Sequence, residues 1–207
     1  MSEEQLSRKE RERLHHKKEI LDTALQLFSE NGFHNVSMQQ IADVSEFSVG
    51  TLYNFFESKE ALFEEMINSC GERIIETLVA VLDTPGTEVE RLTNFIRYAG
   101  TLLEEHAQFI KLYVSELGTR GAKLSKQQER KDFDAILNSK MELLLEDGIR
   151  KGYFRRVDPY ITAKAINSVI ETLSFELAGQ FDKVVAEEMF AKVEQLFIEG
   201  LLLPEGK

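Results

Sequence analysis

The chain has 207 residues and carries 36 acidic against 25 basic side chains, a formal net charge of −11 at pH 7. That balance argues against a general, sequence-blind binder of nucleic acid, because such affinity scales with the cations that meet phosphate. Hydrophobic residues make up 43%, including 14 Phe, and only 3 Pro and 12 Gly occur, so the composition has ample core material and predicts an all-α fold. No apolar run approaches the ~20 residues that cross a bilayer. The charged N-terminus lacks the apolar stretch of a secretory signal. A single cysteine, Cys70, offers neither a disulfide within the chain nor a metal cluster. A cytoplasmic protein with no membrane partner, no metal and no cofactor is the expectation.

Residues 1–15 show no apolar periodicity and read as a flexible basic arm. Residues 8–18 hold Arg8, Lys9, Arg11, Arg13, Lys17 and Lys18 against Glu10 and Glu12, a local charge of +4, whereas residues 1–62 as a whole hold 7 Lys or Arg against 11 Asp or Glu. A phosphate-seeking arm and a solvated lead-in to the first helix are both open. Residues 17–31 predict an amphipathic helix, with Ile20, Leu21, Ala24, Leu25, Leu27 and Phe28 on one stripe. Gly32 then suits a C-terminal cap with positive φ, followed by the apolar Phe33.

The stretch from Val36 to Lys59 predicts two short helices joined by a tight turn. Ser37 is a good N-cap, Gln40 completes a capping box, and Val36 with Ile41 has the spacing of a hydrophobic staple. Ser48 starts a second helix, and Phe47 with Leu52 repeats the staple. Two capped helices this close must turn on one another, which is the layout of a helix-turn-helix.

The run Ser48-Val49-Gly50-Thr51-Leu52-Tyr53-Asn54-Phe55-Phe56-Glu57-Ser58-Lys59-Glu60-Ala61-Leu62-Phe63 resembles the recognition-helix signature of the tetracycline-repressor (TetR) family. Ala24, Phe28, Gly32, Phe33 and Ile41-Ala42 resemble that family's first two helices. The likeness covers about the first third of the chain. It implies a three-helix DNA-binding unit over residues 16–60 and a helical ligand-binding and dimerisation domain over residues 61–207. In such a unit Tyr53 and Lys59 align with phosphate-contacting positions. Thr51 and Asn54 are the candidates for base edges, and Val49 for a thymine methyl. Gly50 lets backbone approach the duplex. Lys17, Lys18, Ser37, Gln39 and Ser48 complete the expected DNA-binding set. The sequence departs from the family at Glu46, where most relatives carry glycine. That position often needs positive φ, so the turn is expected to be strained or built differently, with the carboxylate directed away from DNA.

Further helices are expected at about residues 58–82, 88–105, 107–117, 127–151, 159–179 and 183–202, with a turn at Asp83-Thr84-Pro85-Gly86, an end at Gly152, and either a mobile break or a polar helix start over Gly118, Gly121 and the charged residues between Arg120 and Lys131. The last two are apolar over more than one face. Their residues Ile166, Val169, Ile170, Leu173, Leu177, Phe190, Val193, Leu196 and Phe197 predict a four-helix homodimer interface, with a fully buried pair in a monomer as the other reading. The resemblance implies a ligand pocket, with Met66, Cys70, Phe95, Tyr98, Leu102, His106, Phe109, Ile110, Tyr113, Ile136, Leu137, Met141 and Phe175 as candidate lining. Plain core packing is the competing reading for each of these.

No G-x-S-x-G, P-loop or G-x-G-x-x-G occurs, and the four His residues (15, 16, 34 and 106) lack ligand-spaced partners, so no catalytic residue is assigned. The expected function is that of a ligand-responsive transcriptional regulator. It is read as a homodimeric repressor on palindromic double-stranded DNA, released by a small, mostly apolar effector. The alternative is a ligand-binding or interaction protein that keeps the fold without specific operator binding.

Overall fold

The computed structural model describes residues 7–120 and 127–203, and among these the regular elements are helices. Eight α-helices follow one another: α1 (Arg8–Asn31), α2 (Met38–Val44), α3 (Val49–Phe55), α4 (Lys59–Leu82), α5 (Glu88–Arg120), α6 (Gln127–Arg150), α7 (Pro159–Ala178) and α8 (Lys183–Leu201), with a short 3-10 turn at Phe33–Asn35 between α1 and α2. Among the described residues no helix is long and apolar enough to cross a membrane.

The helix starts follow side-chain capping. Ser37, Ser48, Ser58, Asp158 and Asp182 each accept from an amide of the turn they open, satisfying donors that the helix itself cannot reach. The expected capping box at Ser37 is present in both directions. Gly32 has φ 79° and donates to the Phe28 carbonyl, closing α1. The chain between α5 and α6 includes residues 121–126, which lie outside the described residues, as does the Gly121 end of the expected break there.

Helix α1 starts at Arg8, well before the residue 17 expected from apolar spacing. Its first turns are exposed, so no buried stripe announces them. Ser7 and Glu10 form a capping box, and Arg8–Glu12, His15–Glu19 and Lys18–Asp22 pair at i,i+4. Such pairs extend a helix without a core face. The basic residues of the expected arm, from Arg8 onward, therefore stand on a helix, while residues 1–6 lie outside the described part.

Helix α5 breaks its regular backbone at His106 (φ −117°, ψ 15°), the position that separates the two helices expected from sequence. The two expected helices therefore meet at this break. At Gly100 a Cβ would stand 3.1 Å from the Phe190 ring, so the missing side chain lets α8 lie close on α5. Phe28, Phe33 and Phe63 form an aromatic cluster with ring centroids 4.9–5.6 Å apart. All three are almost fully buried. The Phe28–Phe63 and Phe33–Phe63 pairs are edge-to-face, and such contacts add about 0.5–1.5 kcal/mol each beyond burial. They lock the α1–α2 connection onto the start of α4.

Candidate functional site

Two regions stand out: the outer face of α2 and α3, and a cavity among α4–α7.

Helix α3 is seven residues long and is held by Leu52, which is fully buried, while Val49 and Phe55 are half-buried. Its outer face carries Gly50, Tyr53 and Asn54, all exposed, with Tyr53 at 53%. Ser48 Oγ caps the helix and lies 2.8 Å from the Thr51 hydroxyl. On α2, Ser37 is committed to its cap and Gln39 Nε2 donates to Asp43.

The turn between these helices passes through Glu46 at φ 59°, the one non-glycine with positive φ among the described residues. Phe47 N–H donates to the Ala42 carbonyl at 3.0 Å, and Ser45 N–H to Ile41. This six-to-one closure is the Schellman cap that glycine ordinarily supplies. Glu46 takes up the backbone conformation that glycine would.

The candidate cations are engaged within the chain. Lys17 pairs with Glu65 and stands over the Phe56 ring at 5.8 Å. Lys18 pairs with Asp22. The Lys59 ammonium donates to the carbonyls of Phe33 (2.9 Å) and Val36 (2.7 Å) and lies 4.3 Å from the Phe33 ring centroid. An ammonium has three N–H donors, so two of them close the α1–α2 connection and one is left for another acceptor.

The cavity has a volume of about 310 Å³ and is half open, at the small end of the ~300–1,000 Å³ of ligand pockets. Seven of the expected residues line it: Phe95, Leu102, Phe109, Ile110, Tyr113, Leu137 and Phe175. The others stand elsewhere. Met141 of α6 is buried in the core, as are Met66 and Cys70 of α4, because the α4 stripe that meets the cavity is Ile67, Gly71, Ile74 and Leu78, about 100° around the helix from Met66. Tyr98 packs half-buried beside the core, and Ile136 is exposed at 48%. His106 sits at the α5 kink, beside Leu25 of α1 in a separate hollow. Burial lowers its pKa, with Arg73 adding to that effect and Glu105 opposing it. Burial also raises the Cys70 thiol pKa, against the opposing contact from Arg73.

The sequence reading missed the polar part of the wall: Asn68 and Glu72 on α4, Asn138 on α6, and Lys164, Asn167, Ser168, Glu171 and Ser174 on α7. On α7 these recur at spacings of three and four, which a reading centred on apolar stripes takes for a solvent face. Asn167 Nδ2 donates to Asn138 Oδ1 at 3.0 Å. Asn167 Oδ1 and Asn68 Nδ2 are buried without a protein partner.

Helices α7 and α8 also divide their apolar residues differently from the expectation. Ile166, Ile170, Leu177, Phe190 and Val193 are buried within the chain itself, and Ile170 lines the cavity. Val169, Leu173 and Phe197 are half-buried, and Leu196 is exposed. Helix α7 packs on α5 and α6, and α8 on α5, so these helices use their first apolar face to complete their own domain. The large apolar side chains exposed on α7 and α8 are Tyr160, Ile161, Val184, Val185 and Leu196.

The family described as bacterial regulatory proteins, tetR family, matches residues 20–66. The tetracyclin repressor-like C-terminal domain matches residues 89–187. The chain is 30% identical over 195 residues to the HTH-type transcriptional regulator YdgC of Bacillus subtilis, covering 92% of this chain and 94% of that protein. It is 26% identical over 144 residues to the HTH-type transcriptional repressor KstR2 of Mycobacterium tuberculosis, covering 66% of this chain and 68% of that one. The crystal structure of the transcriptional regulator FadR from Bacillus subtilis in complex with stearoyl-CoA has the same fold, with a TM-score of 0.69 at 21% identity over 88% of this chain and 98% of that one. With the helix-turn-helix on an outer face and a helical domain around a cavity, the chain belongs to the TetR family of transcriptional regulators.

Proposed function

We propose that the protein is a homodimeric repressor that leaves a palindromic operator when a small, mostly apolar molecule enters the cavity among α4–α7. The observation that carries this reading is the pairing of an exposed α3 face, bearing Gly50, Tyr53 and Asn54, with a half-open, mainly apolar cavity lined by α4, the helix that follows α3 directly. Tyr53 and the third Lys59 N–H would meet phosphates, while Thr51 and Asn54 would reach base edges. Two copies related by a two-fold axis would occupy half-sites about 34 Å apart, or a multiple of that. The exposed Val184, Val185 and Leu196 with the half-buried Val169, Leu173, Met189 and Phe197 give α7 and α8 a second apolar face for that partner. Relatives of this fold include a protein named as a repressor and one crystallised with stearoyl-CoA, which supports repression and a ligand with an apolar body.

The test is selection of bound fragments from sheared genomic DNA of the source organism at moderate salt. Enrichment of one palindromic sequence, lost on adding the effector, is the expected result. Absence of enrichment even at low salt would overturn the reading.

A further inference from the structure

Gly71 stands in the middle of α4 with helical backbone, where glycine is the least favourable residue after proline. No turn or positive φ calls for it. Packing does not call for it either. At Gly100 and Gly148 a Cβ would crowd the rings of Phe190 and Phe154, whereas among the described residues a Cβ at Gly71 would meet nothing within 4 Å. The open space over it is the cavity, whose wall includes Gly71 together with Ile67, Ile74 and Ile75 one turn before and after it. The missing side chain thus leaves a recess in the α4 wall, rimmed by isoleucines.

Elsewhere on the same wall Phe109 and Tyr113 of α5 and Phe175 of α7 form a row of rings, with centroids 6.0 and 5.8 Å apart and planes tilted by 31° and 39°. Tyr113 and Phe175 are only half-buried. Aromatic rings favour offset or edge-to-face neighbours at such spacings, so the row can be continued by a ring that enters the cavity. Size narrows the choice further. An apolar cavity of ~150 Å³ holds one benzene ring, and this one is about 310 Å³. Resting on the reading of this cavity as the effector site, we propose that the effector is a compact aromatic molecule of the size of two fused rings, and that Gly71 is the residue that admits it. A guest that fills so small a space meets both the aromatic row and the recess. By the same scale an acyl chain as long as stearoyl would need roughly 450 Å³.

The full-length protein is titrated by calorimetry and thermal shift with 2-naphthol, decahydro-2-naphthol, decan-1-ol and stearoyl-CoA. The first three share one carbon count and one hydroxyl, and differ in aromaticity and shape. 2-Naphthol is expected to bind saturably, decahydro-2-naphthol roughly 2–10-fold more weakly for want of the ring contacts, and decan-1-ol and stearoyl-CoA at least about tenfold more weakly. Gly71→Leu fills the recess and is expected to weaken 2-naphthol about tenfold or more, while the melting temperature of the unliganded protein holds or rises because leucine favours the helix. Gly71→Ala is expected to raise that temperature and to weaken 2-naphthol less. A lower melting temperature for Gly71→Ala would show that the fold itself needs the glycine, and would overturn its role in admitting the ligand. Unchanged 2-naphthol affinity in Gly71→Leu would overturn that role as well. Equal or tighter binding of decahydro-2-naphthol, decan-1-ol or stearoyl-CoA would overturn the compact aromatic class and leave the effector site standing. Binding of none of the four, to a protein that still selects one operator, would overturn the proposal and the cavity reading together while sparing the DNA-binding one.

Discussion

Replacing Glu46 with glycine tests the physical account of the turn between α2 and α3. A side chain at φ 59° costs roughly 1–2 kcal/mol, because Cβ crowds the following carbonyl. Glycine removes that cost, but it loosens the unfolded chain and gives back about 0.4–1 kcal/mol. The net expectation is about 0.5–1 kcal/mol of added stability. In a chain of this size, 1 kcal/mol corresponds to roughly 2–4 °C in melting temperature. The carboxylate itself contributes little. It lies just past the C-terminus of α2, where negative charge is unfavourable, and two residues before Ser48, which caps the N-terminus of α3, where negative charge is favourable. Glu46→Ala keeps the Cβ and drops the charge, so it should stay within about 0.5 kcal/mol of the parent. Urea midpoints followed by far-ultraviolet circular dichroism, at one protein concentration, compare the three proteins. Equal midpoints for the Gly and Ala variants would assign the effect to charge rather than backbone. A lower midpoint for Glu46→Gly would refute the strain argument.

Three other expectations follow from particular contacts. Tyr53→Phe should weaken binding several-fold on every DNA sequence, whereas Asn54→Ala should relax the preference at individual base pairs by about 1–3 kcal/mol. Gel shifts across a panel of operator variants separate the two, and a uniform loss for both would overturn the division of roles. Lys151→Met should destabilise the fold by about 1–3 kcal/mol at pH 7, toward the lower end because the lysine is half exposed. It strips the ammonium, 2.6 Å away, from Glu88, which is 1% exposed. Burial works to raise the Glu88 pKa, but the bonds to Lys151 and to its own backbone outweigh it and hold it below the usual value. A depressed carboxylate lends stability above its unfolded pKa of about 4.3. That stability is lost as pH falls through the lower folded value, so the gap between variant and parent should close in acid, and a gap that persists there would show that lost packing is the cause. Gly148→Ala should cost about 1–3 kcal/mol, since its Cβ would overlap the buried Phe154 ring. Phe154→Leu in the same chain should recover part of that loss in chemical denaturation.

Much of the backbone was legible because its signals are local. Ser37, Ser48, Ser58 and Pro159 announce helix starts through capping and fixed φ, and the helices begin there. Glu46 was legible as an oddity because a turn this short needs positive φ whatever residue occupies it. The break near His106 was legible from the pattern on either side, and the backbone leaves helical geometry there. The early start of α1 was not legible, since the first turns bury nothing and rest on a cap and ion pairs. The cavity wall was read only in part, because an apolar residue on a buried helix can face the core or a cavity, and the two faces of α4 differ by one residue of rotation. Met66 and Ile67 fall on opposite sides of that line. The asparagines were invisible for a different reason: an Asn on a helix looks solvated until its neighbours in space are known. The apolar arcs of α7 and α8 were read as a partner surface, yet Ile166 and Phe190 are consumed by their own domain. Periodicity gives the width of a buried arc and does not say which chain buries it.

Helix α4 bears on how the cavity and the recognition helix affect one another. At its first residue, Lys59 holds the carbonyls of Phe33 and Val36, where α1 passes into α2. Further along, the same helix presents Ile67, Gly71, Ile74 and Leu78 to the cavity. Glu65 and Arg73 of α4 also pair with Lys17 and Asp22 of α1. A ligand can shift the operator-bound state only by its difference in affinity for the two states, and the operator must then weaken the ligand by the same factor. Couplings of this kind run to about 1–3 kcal/mol, or roughly 5–150-fold. Lys59→Met keeps a long, unbranched side chain and removes the ammonium with its two carbonyl bonds and its place over the Phe33 ring. It should therefore reduce the coupling, measured as the ratio of effector affinities with and without operator, while leaving effector affinity without DNA unchanged. If operator binding merely weakens and the ratio is preserved, Lys59 serves DNA affinity alone, and the path from cavity to recognition helix runs through the α1–α4 ion pairs or the α5 kink instead.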